Sequence, residues 1–351
     1  MRPSPPPSLR RAVLAWYSGA KRDLPWRRTR DPYAVWVSEI MLQQTRVETV
    51  VPFYERFLRR FPDVESLARA REPAVLAAWS GLGYYRRARH LHAAARMVAR
   101  EHGGRIPGDR VSLEELPGIG GYTASAIASI AFGAPGAAVD GNVIRVIARI
   151  AGFRGRRDSA ALRLQVGAWA ESLTLGPSPG DWTQAVMELG ALVCLPRDPL
   201  CTRCPAARLC VARKSGDPGR YPEASTPKAP RAERRLLLLA SAGDRVLLVP
   251  DEADAKASWT LPYAVLGASA SPRSAARALA ARHLRRAAEP SGPSTTFQHR
   301  TFSHNMTYEV WCLKLPRGAK PDPERVWATR RQLRGLPLRS PTLKALKSLD
   351  P

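Results

Sequence analysis

Four cysteines, Cys194, Cys201, Cys204 and Cys210, follow one another as C-x6-C-x2-C-x5-C. No other feature restricts the fold as tightly, because one short loop must bring four thiols to a single centre. A scatter of paired cysteines would suggest disulfides; crowding of this kind points to a metal or cluster site. Four thiolates suit either Zn²⁺ or an iron–sulfur cluster. Zinc ribbons usually carry two C-x2-C knuckles with a longer gap between them. Here a single x2 pair is flanked by x6 and x5, which favours a [4Fe–4S] cluster. The fifth cysteine, Cys312, lies in a predicted strand and reads as a core residue. Arg197, Arg203, Arg208 and Arg213 share the loop, so a folded loop would present cations to phosphates.

The charge balance agrees with such a partner without requiring it. The 351 residues hold 55 Lys+Arg against 30 Asp+Glu, a formal net charge of +25. Such an excess attracts polyanions. Only 8 of the 55 are Lys, however, and the chain is rich in Ala and Pro, so a solvated Arg-rich surface explains the charge equally well. No apolar run is long enough to span a bilayer, and the N-terminus lacks the apolar core of a secretory signal. The expectation is an intracellular, cytoplasmic protein with no membrane partner.

The length suggests two domains. Residues 1–8 are rich in Pro and Ser and read as disordered. Over 9–213 apolar residues recur at helical spacing, as in Ala34, Val35, Val37, Ile40 and Met41. Residues 214–232, rich in Pro, Ser and charge, read as a linker. From 233 to 351 the texture changes to a small α+β domain. Arg235–Ala240 and Arg245–Val249 predict a hairpin, Ser271–Ala288 a helix, Phe297–Ser303 and Thr307–Leu315 strands, and Glu324–Leu333 a helix.

Within the helical half, Leu116-Pro117-Gly118-Ile119-Gly120 separates two helical patterns. Pro117 ends a helix, and Gly118 and Gly120 allow a tight turn with positive φ. Backbone N–H groups of such a turn and of the next helix bind an anion without side chains. Two acids stand out. Glu39 lies among apolar helical residues, where burial would raise its pKa and suit it to general-acid work. Asp140 precedes a helix that it is placed to cap.

The hairpin, the later Asp and the four-cysteine loop, in that order, resemble the endonuclease III-like glycosylase superfamily. Leu24-Pro25-Trp26-Arg27, Ser38–Thr45, Gly81–Arg89, Asp140–Val143 and Met187–Cys194 narrow the resemblance to its adenine glycosylase branch, MutY. The likeness runs from about Leu9 to Val211 and resumes after the linker. It implies that Glu39 protonates the adenine ring and helps activate water, and that Asp140 stabilises the oxocarbenium-like sugar. Tyr122 and Asn142 match supporting active-site residues. Gln44 matches a side chain wedged into the duplex once the base is flipped out. Trp26, Arg27 and Gln184 resemble residues of the adenine pocket. Bifunctional members carry a Schiff-base Lys in the hairpin; Tyr122 stands there in this chain, and a phenol cannot form the imine.

The C-terminal order of elements, with Trp259-Thr260-Leu261-Pro262, resembles a Nudix-fold module. Nudix hydrolysis needs a Glu-rich helix to hold Mg²⁺. Between Lys256 and Ala288 there is no Asp or Glu, and the helical stretch carries Arg273, Arg277, Arg282, Arg285 and Arg286 instead. Phe302-Ser303-His304 resembles the motif with which the family contacts 8-oxoguanine. One extra residue between His299 and Phe302 departs from the family pattern at His299. Together these features imply a monomeric, essentially monofunctional adenine glycosylase. Its partner would be duplex DNA with adenine opposite 8-oxoguanine or guanine. The competing readings are an endonuclease III-like glycosylase/lyase and a catalytically silent iron–sulfur DNA-binding protein.

Overall fold

A computed structural model of the chain describes residues 4–223, 229–251, 258–284, 288–301, 303–316, 326–333 and 335–347. The chain divides into two compact bodies, Met1–Arg69 with His90–Thr226, and Ala70–Arg89 with Pro227–Pro351.

The described part of the first body is helical, apart from an isolated bridge between Arg156 and Glu223. Its N-terminal helix, Pro7–Ala20, starts inside the segment expected to be disordered. Pro at the first helical position needs no N–H partner, and Leu9 and Val13 are wholly buried, so packing holds the helix where composition suggested none. Those residues join Val143–Ile150, Leu162–Leu173 and Trp182–Val193 in one apolar core. Helix ends follow local chemistry. Asp31 accepts from the Tyr33 and Ala34 N–H groups to open Pro32–Leu42, and Gly133 and Gly152 close Gly121–Phe132 and Gly141–Ala151 in left-handed conformation. Pro32–Leu42 is apolar on every side, and Tyr33 through Met41 are all buried.

The linker expected over 214–232 is shorter than its composition implies. Lys214 still belongs to the Val211–Lys214 helix, and Tyr221 is buried with its carbonyl accepting from Arg149 Nε at 3.1 Å. The next strand begins at Arg231. The first body is also not continuous in sequence. Residues 70–89 group with the second body, where the Tyr85 hydroxyl donates to the Leu338 carbonyl at 3.0 Å and is buried. Helical periodicity shows that such a segment has an apolar face, but not which body covers it.

The second body is an α+β fold around a seven-stranded sheet among the described residues: β1 (Arg231–Ala242), β2 (Arg245–Pro250), β3 (Trp259–Thr260), β4 (Tyr263–Leu266), β5 (Ser291–Arg300), β6 (His304–Leu315) and β7 (Val326–Thr329). The predicted β1–β2 hairpin forms, but the long partner of β1 is β6, parallel from Arg231↔His304 to Ala242↔Leu315. β1 reads as an unbroken Leu run because both of its faces are covered. Leu236, Leu238 and Ala240 pack on the Pro272–Leu284 helix side; Leu237 and Leu239 face the opposite side with Tyr308 and Val310. The predicted helix at Glu324–Leu333 is a correction. Val326–Thr329 is a strand on β2, and only Arg330–Leu333 is helical. Val, Trp and Thr favour a half-buried ladder over a helix turn. Glu324 lies outside the described residues, as do Arg285, Arg286 and Phe302. The strand expected at Phe297–Ser303 ends at Arg300.

Candidate active site

One cleft of the first body collects the seven residues predicted as catalytic or as walls of the base pocket. Trp26, Arg27, Glu39, Tyr122, Asp140, Asn142 and Gln184 line it together with Arg22, Met187 and Glu188, around about 900 Å³ of space that is partly open to solvent. They come from five separate stretches of chain, brought together because the apolar Pro32–Leu42 and Gly121–Phe132 helices are both buried.

Glu39 is only 7% exposed. Burial pushes its carboxyl up to about 7; a hydrogen bond with Tyr122 works the other way, and the negative charge of Asp140 adds to the rise. Near neutral pH it therefore still holds a proton that it can deliver. The Tyr122 phenol is held well above its ordinary range by burial and then by the charges of Glu39 and Asp140, so it stays a neutral donor. Asp140 keeps both readings that the sequence left open. It caps Gly141–Ala151 through the Asn142 and Val143 N–H groups at 2.9 and 2.7 Å, and it also lines the cleft. The Asn142 amide donates to its second oxygen at 3.1 Å. A carboxylate that caps a helix is held in one orientation against the positive end of the helix dipole.

Two residues were missed. Glu188 is 0% exposed and accepts from Arg22 Nη2 and Arg27 Nη2 at 2.8 and 2.7 Å. Burial alone would raise its pKa, but the Arg27 and Arg22 hydrogen bonds prevail and hold it at about 2. This pair of bonds fixes Arg27 in the cleft wall. The available signal was the same as for Glu39, a lone acid in an apolar helical run. Arg145 is buried too. It donates to Asn142 Oδ1 at 3.0 Å, to the Gly190 carbonyl at 2.9 Å and to the Cys194 carbonyl at 2.8 Å, tying the Asp140 end of the cleft to the cysteine loop.

Gln44 stands outside the cleft lining. It is exposed at the end of Pro32–Leu42 with φ +57°, a left-handed conformation uncommon for a residue with a Cβ. Its neighbour Gln43 turns inward, its amide 3.4 Å from Thr123 Oγ1.

The hairpin joins Arg110–Glu114 to Gly121–Phe132. Gly118 has φ +81° as expected, and a Cβ there would meet His90 Cβ at 2.5 Å. Gly120 departs from expectation: with φ −103° and ψ 175° it is the extended N-cap. A helix entry takes β-region dihedrals that any residue adopts, and a Cβ there would meet nothing within 4 Å, so the turn's need for glycine rests on Gly118.

Cys194, Cys201, Cys204 and Cys210 line one cavity of about 390 Å³, with Arg149 and Arg213 and no His, Asp or Glu. Among the described residues, no three metal-ligating side chains converge on a point that a single ion would fill. Burial pushes Cys204 up to about 11 and raises Cys210 as well. Arg149 Nη1 lies 3.5 Å from Cys194 Sγ. Cys312 sits apart on β6, its thiol 3.3 Å from Ser294 Oγ.

In the second body, Ser303 and His304 form the turn from β5 into β6. The Ser303 carbonyl accepts from the Arg231 N–H at 2.9 Å, and the His304 N–H donates to Thr301 Oγ1 at 3.1 Å. His299 is half-buried against Tyr308, with ring centroids 6.4 Å apart.

Residues 37–171 match the HhH-GPD superfamily base excision DNA repair protein family. The chain is 46% identical over 216 residues to a human adenine DNA glycosylase, covering 59% of this chain and 40% of that protein. Against an Arabidopsis thaliana adenine DNA glycosylase it is 36% identical over 304 residues, covering 75% and 48%. It thus spans less than half the length of these two relatives. A solved thermostable thymine-DNA glycosylase aligns at 30% identity and a TM-score of 0.53, covering 59% of this chain and 95% of that one. The chain belongs to the HhH-GPD superfamily of base excision DNA repair proteins, and the human and Arabidopsis proteins it resembles are adenine DNA glycosylases.

Proposed function

We propose that this chain hydrolyses the N-glycosidic bond of adenine mispaired with 8-oxoguanine or guanine in duplex DNA. The observation that carries the reading is a buried Glu39, its carboxyl pushed up to about 7, sharing a cleft with the helix-capping carboxylate of Asp140. Removing a flipped-out base needs a proton for the leaving group and negative charge beside the sugar as it becomes oxocarbenium-like. Glu39 supplies the first and, once deprotonated, draws a proton from water; Asp140 supplies the second. Tyr122 keeps Glu39 oriented, and Asn142 does the same for Asp140. The exposed, left-handed Gln44 suits the wedge that holds the duplex open. Trp26, Arg27 and Gln184 form the walls for the base, and Ser303 reads the opposite 8-oxoguanine.

No lysine lines the cleft, and Tyr122 cannot form an imine, so strand cleavage is not part of the reaction. Four thiols around one cavity with no His, Asp or Glu in its lining, and no three ligands converging on a single-ion point among the described residues, suit a [4Fe–4S] cluster better than zinc. There the cluster would hold the basic loop in shape rather than take part in hydrolysis. The protein works as a monomer on double-stranded DNA inside the cell. Single-turnover base release from a duplex with one adenine opposite 8-oxoguanine tests the proposal. We expect adenine release with strand breaks only after alkali. Absence of release overturns the enzymatic reading, and breaks without alkali overturn the monofunctional one.

A further inference from the structure

Three side chains on one face of the second body make an arrangement that the reading above does not use. Ser303 Oγ lies 2.8 Å from His304 Nδ1, and the far ring nitrogen, Nε2, lies 3.9 Å from Glu233 Oε2. The sheet explains the meeting. Arg231 on β1 is in register with His304 on β6, and residues two apart on a strand share a face, so Glu233 rises beside the imidazole. Glu233 is held in turn by Arg235, whose guanidinium reaches the Tyr308 hydroxyl at 3.5 Å.

We infer that Glu233 sets the opposite-base specificity of this protein by selecting the tautomer of His304 and thereby turning Ser303 Oγ into a hydrogen-bond acceptor. The inference rests on the reader role proposed for Ser303. A neutral imidazole carries one N–H, and a nearby carboxylate favours it on the facing nitrogen, Nε2. Nδ1 is then an acceptor, and the Ser303 hydroxyl 2.8 Å away donates to it. With that proton committed to His304, Ser303 Oγ offers lone pairs to a base edge. Guanine presents N7 as an acceptor in the major groove. Oxidation at C8 moves a hydrogen onto N7, so the same edge atom of 8-oxoguanine donates. An acceptor-only hydroxyl therefore matches the oxidised base and sets two lone-pair atoms against each other with guanine, leaving a polar edge unsatisfied. The backbone bonds from Arg231 and to Thr301 keep Ser303 and His304 from rotating away.

Two measurements on the full-length protein test this. The first is ¹⁵N NMR of the wild-type His304 ring at neutral pH. We expect the proton on Nε2 and an unprotonated Nδ1; a proton on Nδ1 overturns the inference whatever any variant does. The second compares affinities for duplexes carrying 2′-fluoro-2′-deoxyadenosine, which resists cleavage, opposite 8-oxoguanine or guanine. Glu233→Gln removes the charge and can donate to Nε2, so Nδ1–H becomes populated and the preference for 8-oxoguanine falls about tenfold, the loss of one discriminating hydrogen bond. Arg235→Gln, which spares the Glu233 charge, keeps the preference wherever the Nε2 proton persists; a lost preference with an unchanged tautomer overturns the inference. Ser303→Ala separates the two levels. If it removes the preference while Glu233→Gln changes neither NMR nor affinity ratio, the tautomer mechanism falls and the reader stands. If Ser303→Ala changes nothing, the reader role itself is wrong and this inference falls with it.

Discussion

Replacing Glu39 by Gln should act in opposite directions on activity and on stability, and the size of the second effect follows from the site. The carboxyl sits at about 7 in the fold against an ordinary 4.5. A carboxyl that holds its proton more tightly when folded disfavours folding wherever the unfolded chain has already ionised. Stability is therefore lost as pH rises through 4.5, and the loss levels off above about 7. By linkage the cost is under about 1 kcal/mol at pH 5 and about 3 kcal/mol at pH 8. Gln is neutral throughout, nearly the same size, and still accepts from Tyr122. The stability gained by Glu39→Gln should therefore grow by about 2 kcal/mol between pH 5 and pH 8. Urea unfolding of both proteins at the two pH values, followed by tryptophan fluorescence, measures the difference, with base release measured alongside. We expect no base release and a higher urea midpoint, with the larger gain at pH 8. A gain that is equal at both pH values, or larger at pH 5, would refute the claim that burial holds the proton on Glu39.

Wild-type single-turnover base release should be level below about pH 6 and fall tenfold per unit well above 7, since only protonated Glu39 delivers a proton. Glu188→Gln leaves Arg22 and Arg27 without their buried anion and should cost about 3–5 kcal/mol at pH 7 in urea unfolding. Because Glu188 is held at about 2, that cost is present above 4.5 and should shrink as pH falls through 2, which low-pH unfolding of both proteins can follow. Gly118→Ala puts a Cβ against His90 at positive φ; we expect a loss of about 1–3 kcal/mol and weaker DNA binding, read from Tm and from Kd at fixed salt. Cys204→Ser should reduce iron content and visible absorbance and weaken DNA binding, with little effect on base release from duplex already bound.

The chemistry of the site was legible in the sequence where it rests on residue type. Four thiols at short spacing must share a loop, an acid in an apolar helix must be either solvated or pKa-shifted, and a phenol in place of an amine cannot form an imine. Helical texture in the first half and the β1–β2 hairpin were legible for the same reason, since periodicity and turn chemistry act within a few residues of chain. What crosses the chain was not. Glu188 looks like Glu39 until Arg22 and Arg27, more than 150 residues earlier, meet it. Residues 70–89 carry a helical pattern that does not say which body buries it. The start of the expected linker and the end of the expected disordered tail were decided by Tyr221 and Leu9 finding a core. The parallel register of β1 on β6, which sets Glu233 beside His304, has no local signal, because pairing between distant strands is selected by the burial of both sheet faces rather than by either strand alone.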